Sequence, residues 1–283
     1  WIDVISEVAF LTMDLEDHGR SDLATRFLDV YLQATGDYAG LELLRFYQCY
    51  RALVRAKVGA IRMGEAPHAP PAGQPAPEEV SAYITLAARY TVRGKPALLI
   101  THGLSGSGKT TASQPLLETV GAIRLRSDIE RKRLFGLAAE DHTAASVGGG
   151  IYTAEASDAT YARLADLCRD LLAAGFPVIV DATFLEAGRR QAFRALAEEL
   201  GVPFAILSFR ASETALRKRV RQREQHGKDA SEAGLAVLEK QLAGQEPLHP
   251  NERQETIVID TESPEPIGQA LAQLGQMLDA RTP

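Results

Sequence analysis

The sequence predicts an α/β fold: a five-stranded parallel sheet in a three-layer sandwich, preceded by a small all-helical segment. Two observations carry the sandwich. From Gly94 onward, five short apolar runs (residues 96–101, 122–125, 177–181, 203–209 and 256–261) alternate with stretches of helical periodicity, the pattern of a parallel sheet covered on both faces. Between the first run and its helix lies Gly103-Leu104-Ser105-Gly106-Ser107-Gly108-Lys109-Thr110, which has the spelling of a phosphate-binding loop. A third observation sets the helical segment apart: residues 63–77 hold Pro67, Pro70, Pro71, Pro75 and Pro77 with no apolar period, the composition of an extended linker.

Ahead of that linker, Val4, Ile5, Val8, Ala9, Leu11 and Leu15 fall at helical spacing over residues 4–16. His18-Gly19-Arg20 is expected to end that helix. Ser21 or Asp22 can cap a second helix carrying Leu23, Phe27, Val30, Tyr31 and Ala34 and stopped near Gly36. A third helix over residues 39–61 has Phe46, Tyr47 and Tyr50, with Arg45, Arg51, Arg55 and Lys57 on its other face, read as a solvated basic face. Residues 78–91 form a connecting helix that leads into the first strand.

Beyond the glycine loop, helices are expected over residues 110–120, 151–174, 185–200, 212–225, 231–243 and 266–279. Gly175 and Gly201 close the second and third of these. No internal repeat is visible.

Composition narrows the function. The 283 residues are 45% apolar and 24% charged, with a formal net charge of −6, ordinary for a globular protein and unlike a nucleic-acid scaffold. Cys49 and Cys168 stand far apart, without metal-ligand spacing, as expected of idle thiols in a reducing compartment. No apolar stretch approaches a membrane span, and Asp3 and Glu7 interrupt the start as a signal peptide. The expected location is therefore cytoplasmic, away from membranes. The first residue is Trp1, which predicts that the chain begins part-way through a longer protein.

The loop's chemistry follows from its residues. Gly103, Gly106 and Gly108 let the backbone curl so that successive N–H groups, with those of Ser105 and Ser107, point into one concavity. The positive end of the next helix adds to that field, with Thr111 in its first turn. Lys109 can reach β- and γ-phosphates, and the Thr110 hydroxyl can ligate Mg²⁺.

Asp181 ends an apolar strand, where a carboxylate can hold Mg²⁺, or simply begin a turn or cap a helix. Thr183 could cap the next helix and leave Asp181 free. Asp128 follows the second strand and can orient an acceptor hydroxyl and take its proton. Arg131, one helical turn on, can bind an acidic group or the transferring phosphoryl. The competing reading is Ser127 or Asp128 as a helix cap. Arg219 and Arg223, four residues apart, share a helix face beside the polar loop of residues 224–229. They read either as a lid over the γ-phosphate or as a solvated face.

Two resemblances bear on these residues. Trp1-Ile2-Asp3-Val4, Glu7-Val8-Ala9-Phe10-Leu11, Met13-Asp14-Leu15, Thr35-Gly36-Asp37-Tyr38 and the run from Tyr50 to Lys57 resemble the C-terminal end of the aminoglycoside phosphotransferase-like fold. That resemblance covers about the first sixty residues and none of the family's catalytic loop; it implies an upstream kinase-like domain as partner. GLSGSGKTT, RSDIERKRL, VIVDATFL and the LRKRVRQRE and DASEAGLAVLEKQ runs resemble P-loop kinases of the gluconate kinase-like, adenylate kinase-like and zeta toxin-like group. The closer likeness is to an ATP-binding domain fused behind an aminoglycoside phosphotransferase-like domain. This implies a P-loop NTPase sheet with the loop strand central, ATP and Mg²⁺ as cofactors, and transfer of the γ-phosphate to a hydroxyl of a small molecule.

Two rivals stand beside that reading. A 5′-hydroxyl polynucleotide kinase suits an Asp with an Arg three residues later, but from Gly94 onward 22 Lys and Arg face 25 Asp and Glu, which disfavours a nucleic-acid track. The other is a non-catalytic nucleotide-sensing module that regulates an N-terminal kinase-like domain.

Overall fold

A computed structural model of the protein describes residues 2–64, 77–139, 141, 149–226 and 233–280. These form two compact units, divided between Gly94 and Lys95. Most of the proline-rich stretch 63–77 lies outside the described residues, as does the greater part of the loop after Glu224.

The first unit is built from α1 (Val4–Asp17), α2 (Ser21–Thr35), α3 (Leu41–Gly64) and α4 (Pro77–Thr91). Asp3 caps α1 by accepting from the Ile5 amide, and His18 closes it. Neither Ser21 nor Asp22 caps α2; the cap position falls on Arg20, whose guanidinium pairs with Asp22. Gly36 stops α2 in the left-handed conformation, φ 72°. Met13, Ala52, Ala56, Tyr83, Leu86 and Ala87 make the core, so α4 packs within this unit against α3. The basic face of α3 is only partly solvated: Arg51 reaches Glu7 and Arg55 reaches Asp14, each at 2.6 Å, and both lie over the Phe10 ring.

The second unit is a five-stranded parallel sheet. Its strands are β1 (Leu98–His102), β2 (Ile123–Arg126), β3 (Val178–Asp181), β4 (Phe204–Arg210) and β5 (Thr256–Asp260), in the order β2-β3-β1-β4-β5. The helices are α5 (Lys109–Val120), α6 (Ser127–Leu134), α7 (Ala154–Ala173), α8 (Ala187–Glu199), α9 (Glu213–His226), α10 (Leu235–Gly244), α11 (Pro250–Arg253) and α12 (Gly268–Ala280). Alternation along the strands sorts side chains to two faces. Leu99, Ile179, Leu207, Phe209, Ile257 and Ile259 turn to one face and bury Leu116 and Leu117 of α5 and Ala270 and Leu274 of α12. On α7 and α8, Leu164, Cys168, Leu171, Phe193 and Leu196 are buried.

The elements follow the sequence pattern with four departures. The α10 helix starts at Leu235, its cap position on Gly234, four residues later than the spacing predicts. The α7 helix starts at Ala154 because the Thr153 side chain accepts from the Ala156 amide; a single 3₁₀ turn, Gly150–Tyr152, precedes it. The α11 helix is four residues long, too short to leave a periodic signal. Strand β2 runs directly into α6, with no loop between them.

Register then sets the site. Asp181 sits opposite Arg126, and Ser208 opposite His102. The ends of β1, β2 and β3 therefore meet at one sheet edge, where ligands of open α/β sheets bind.

Candidate active site

The glycine loop leaves the central strand β1 and enters α5. Gly103 has φ 148°, and a Cβ there would stand 2.6 Å from the Phe209 carbonyl oxygen. Gly106 has φ 82°, and a Cβ there would stand 2.9 Å from the Leu216 carbonyl oxygen. Both positions thus need glycine for backbone angle and for space. The loop is tied down on two sides. The Gly103 amide donates to the Thr183 carbonyl at 3.1 Å. The Ser105 amide donates to Gln241 Oε1 of α10 at 2.8 Å.

Beside the loop lies a cavity of about 470 Å³. Ser105, Gly106, Gly108, Lys109, Thr110 and Thr111 line it, and so do Asp128, Arg131, Asp181, Arg219 and Arg223. Strand ends and helix starts far apart in sequence converge there. Gly103, Leu104 and Ser107 instead line a second cavity behind the loop.

Lys109 Nζ folds back over the loop and donates to the carbonyls of Gly103 (2.9 Å) and Leu104 (3.0 Å). Burial lowers its pKa, the carboxylates of Asp181 and Asp128 pull it back up, and the balance is about 8. The amine therefore remains a cation at neutral pH. Thr110 Oγ1 donates to Asp181 Oδ2 at 2.7 Å. Arg126 Nε lies 3.9 Å from the same oxygen.

Asp128 is the second residue of α6. The cap position is Arg126, and no side chain closes the helix start. The structure therefore gives neither Ser127 nor Asp128 the capping role, since the direct passage from β2 into α6 places the extended residue one position earlier. Thr183 does not cap α8 either; its cap position is Glu186, again without a side-chain bond. The turn after Asp181 is shaped by Phe184, whose φ of 45° is left-handed. Tyr161 and Phe193 pack edge-on against its ring, and Arg190 Nη1 donates to its carbonyl at 3.1 Å. Such a conformation costs on the order of 1–3 kcal/mol and persists where its surroundings enforce it.

The three candidate arginines are held rather than free. Arg131 donates to the Ile151 carbonyl (3.2 Å) and Ser157 Oγ (3.1 Å) and stacks over Tyr152. Its buried Nε has no partner among the described residues. Arg219 bridges the loop and the end of β5, donating to Gly106 O, Thr261 Oγ1 and Thr261 O. Arg223 donates to the Ala233 carbonyl. Arg217 pairs with Glu213 and Glu239 on the exposed side and is absent from the cavity lining.

Among the polar lining residues, sequence reasoning did not single out Tyr152, Tyr161 and Gln241. The last lay within a run quoted for its resemblance, but nothing in the sequence marked the position as a partner of the loop.

Loop, sheet order and site together define a P-loop kinase-like domain, a fold that implies nucleotide binding. The sequence profile of the AAA_33 family, an AAA domain, matches residues 98–248, more than half of the chain, and the chain belongs to this family. It is 33% identical over 215 residues to the uncharacterized protein Rv2004c of Mycobacterium tuberculosis. That alignment takes in 76% of this chain but 41% of the relative, so the chain spans less than half the length of the curated relatives it matches. Among solved structures, a putative kinase from Chloroflexus aurantiacus superposes with a TM-score of 0.52, at 22% identity, over 67% of this chain and 99% of that one. That likeness is one of fold. A gluconokinase from Sinorhizobium meliloti has 23% identity and a TM-score of 0.46, over 66% and 97% of the two chains.

Proposed function

We propose that this chain is a phosphotransferase that moves the γ-phosphate of Mg-ATP to a hydroxyl of a small molecule. The observation that carries the reading is the single cavity that gathers Lys109, Thr110, Asp181, Asp128 and Arg131. The residues present fit the cofactor. Curled amides and a buried ammonium suit phosphates. A hydroxyl and a carboxylate 2.7 Å apart are hard oxygen donors of the kind Mg²⁺ takes when phosphates and water complete its shell. No cluster of three or more His, Cys, Asp or Glu side chains competes for a metal among the described residues.

Bound there, Mg-ATP would supply the transferable phosphoryl group and a cation to neutralise its charge. Lys109, with its ammonium across the loop, holds the phosphates. Thr110 and Asp181 hold the metal. Asp128 accepts the proton of the acceptor hydroxyl. Arg131 orients an acidic part of the acceptor or the phosphoryl. Arg219 and Arg223 add positive charge from α9 and keep water out. For the first unit, the residues quoted from Trp1 to Lys57 support a C-terminal portion of an aminoglycoside phosphotransferase-like domain, with an upstream kinase-like domain as its partner. Among the described residues no helix is long and apolar enough to cross a membrane.

The test is ATP consumption by the chain with a library of hydroxyl-bearing metabolites. Turnover stimulated by one acceptor class is expected. ATP binding without stimulation by any acceptor would favour the nucleotide-sensing module. Tight oligonucleotide binding with a steep salt slope would favour a polynucleotide kinase.

A further inference from the structure

The strands β4 and β5 are unlike on their two sides. Leu207, Phe209, Ile257 and Ile259 are buried in the core, while Ser208, Arg210, Thr256 and Val258 face a second cavity, of about 990 Å³. Val258 is 50% exposed there. On this side a groove remains between the sheet and the segment that carries α10 and α11; Arg210 and Val258 are the exposed strand residues in it, while Ser208 is buried.

The chemistry of this groove is one-sided. Two of its lining residues, Arg210 and Arg253, are exposed, and neither side chain has a hydrogen bond or ion pair among the described residues. Among the described residues no aspartate or glutamate lines it. Two carboxylates lie nearby: Glu252 is bound by the buried Arg190 through two bonds of 2.7 and 3.1 Å, and Asp260, opposite Arg210 in the β4–β5 register, accepts from the Glu262 amide at 3.0 Å. Arg190 also donates to the carbonyl of Pro247, which fixes that wall. Leu242, Pro247 and Leu248 supply the apolar side.

The floor is polar. His102 Nδ1 lies 3.1 Å from Ser208 Oγ. Ser107, 1% exposed, is also in the lining, and its buried hydroxyl oxygen has no partner among the described residues. Among the described residues none lines both this groove and the cavity on the loop's other side.

We propose that this groove is a second ligand site, for a small organic anion whose carboxylate or phosphate head is drawn in by the charge of Arg210 and Arg253 and whose apolar body lies against Leu242, Leu248 and Val258. Guanidinium groups in a lining that holds no acid among the described residues select negative charge, and the apolar wall selects against inorganic ions alone. The site does not depend on the phosphotransferase reading.

The experiment is calorimetric titration of the whole chain with hexanoate and hexyl phosphate, with hexan-1-ol as the uncharged control. Saturable binding of either anion, and not of the alcohol, is expected; the two arms separate a carboxylate ligand from a phosphate ester. The double variant Arg210→Gln, Arg253→Gln should weaken binding tenfold or more with an unchanged melting temperature, since both side chains are exposed. Val258→Trp, which fills the groove with both arginines in place, should abolish it. Lys109→Ala should leave it intact. The proposal is overturned if neither anion saturates, if the double variant and Val258→Trp both bind normally, or if binding is lost in Lys109→Ala alone, which would put the anion in the glycine loop.

Discussion

Thr110 Oγ1 donates to Asp181 Oδ2 at 2.7 Å, which joins the first turn of α5 to the end of β3. If that pair holds Mg²⁺, Asp181→Asn should weaken Mg-ATP binding by roughly 1.5–3 kcal/mol, the range for a hydrogen bond to a charged group, and should leave metal-free ATP nearly unaffected. Titrations with and without Mg²⁺ decide this; an equal loss in both would remove Asp181 from the metal.

Lys109 lies over the glycine loop, held by two loop carbonyls. Lys109→Ala should cost about 2–4 kcal/mol of ATP affinity, as expected for a buried charged contact. Unchanged affinity by calorimetry would show that the loop does not bind phosphate through this side chain.

Asp128 lines the same cavity without capping α6. Asp128→Asn should therefore keep the melting temperature and Mg-ATP affinity while acceptor phosphorylation falls by roughly 10²–10⁴, the usual range for a general base. Turnover at the wild-type rate would remove Asp128 from the proton transfer. A parallel fall in metal affinity would instead assign it to Mg²⁺.

His102 makes stability depend on pH. Burial, with Arg190 and Lys109 nearby, pushes its imidazole down to about 4, from an ordinary value of 6.5. Between those values the unfolded chain takes up a proton that the folded chain refuses, so this contribution to stability is present above pH 6.5 and is lost as pH falls toward 4. The loss amounts to at most about 3 kcal/mol. His102→Gln should flatten this part of the profile, so that wild type loses about 2 kcal/mol more than the variant between pH 7 and 4.5. Parallel denaturation profiles for the two proteins would contradict it.

The sheet was legible because each strand is a short apolar run bounded by turn residues, and the loop because glycines at fixed offsets have few other uses. Local spacing also placed Arg219 and Arg223 on one face of α9, and both line the cavity. What could not be read were relations set by packing. Arg190 meets Glu252 sixty-two residues away, and nothing near either residue announces the other. Phe184 takes a conformation that its residue type disfavours, enforced by the rings around it. The cap of α6 fell on Arg126 because β2 leaves no loop, a matter of chain geometry that a capping preference does not encode. Likewise Arg51 and Arg55 resembled a solvated face until α1 brought Glu7 and Asp14 beside them.

Gln241 gives the glycine loop a neighbour on a separate helix. Its Oε1 accepts the Ser105 N–H hydrogen bond, and its helix is anchored through Leu238 to Leu216 and Val220 of α9. The Ser105 amide is thus a natural probe: its NMR resonance and its solvent-exchange rate report, from a single atom inside the loop, whether a helix more than a hundred residues along the chain is in place.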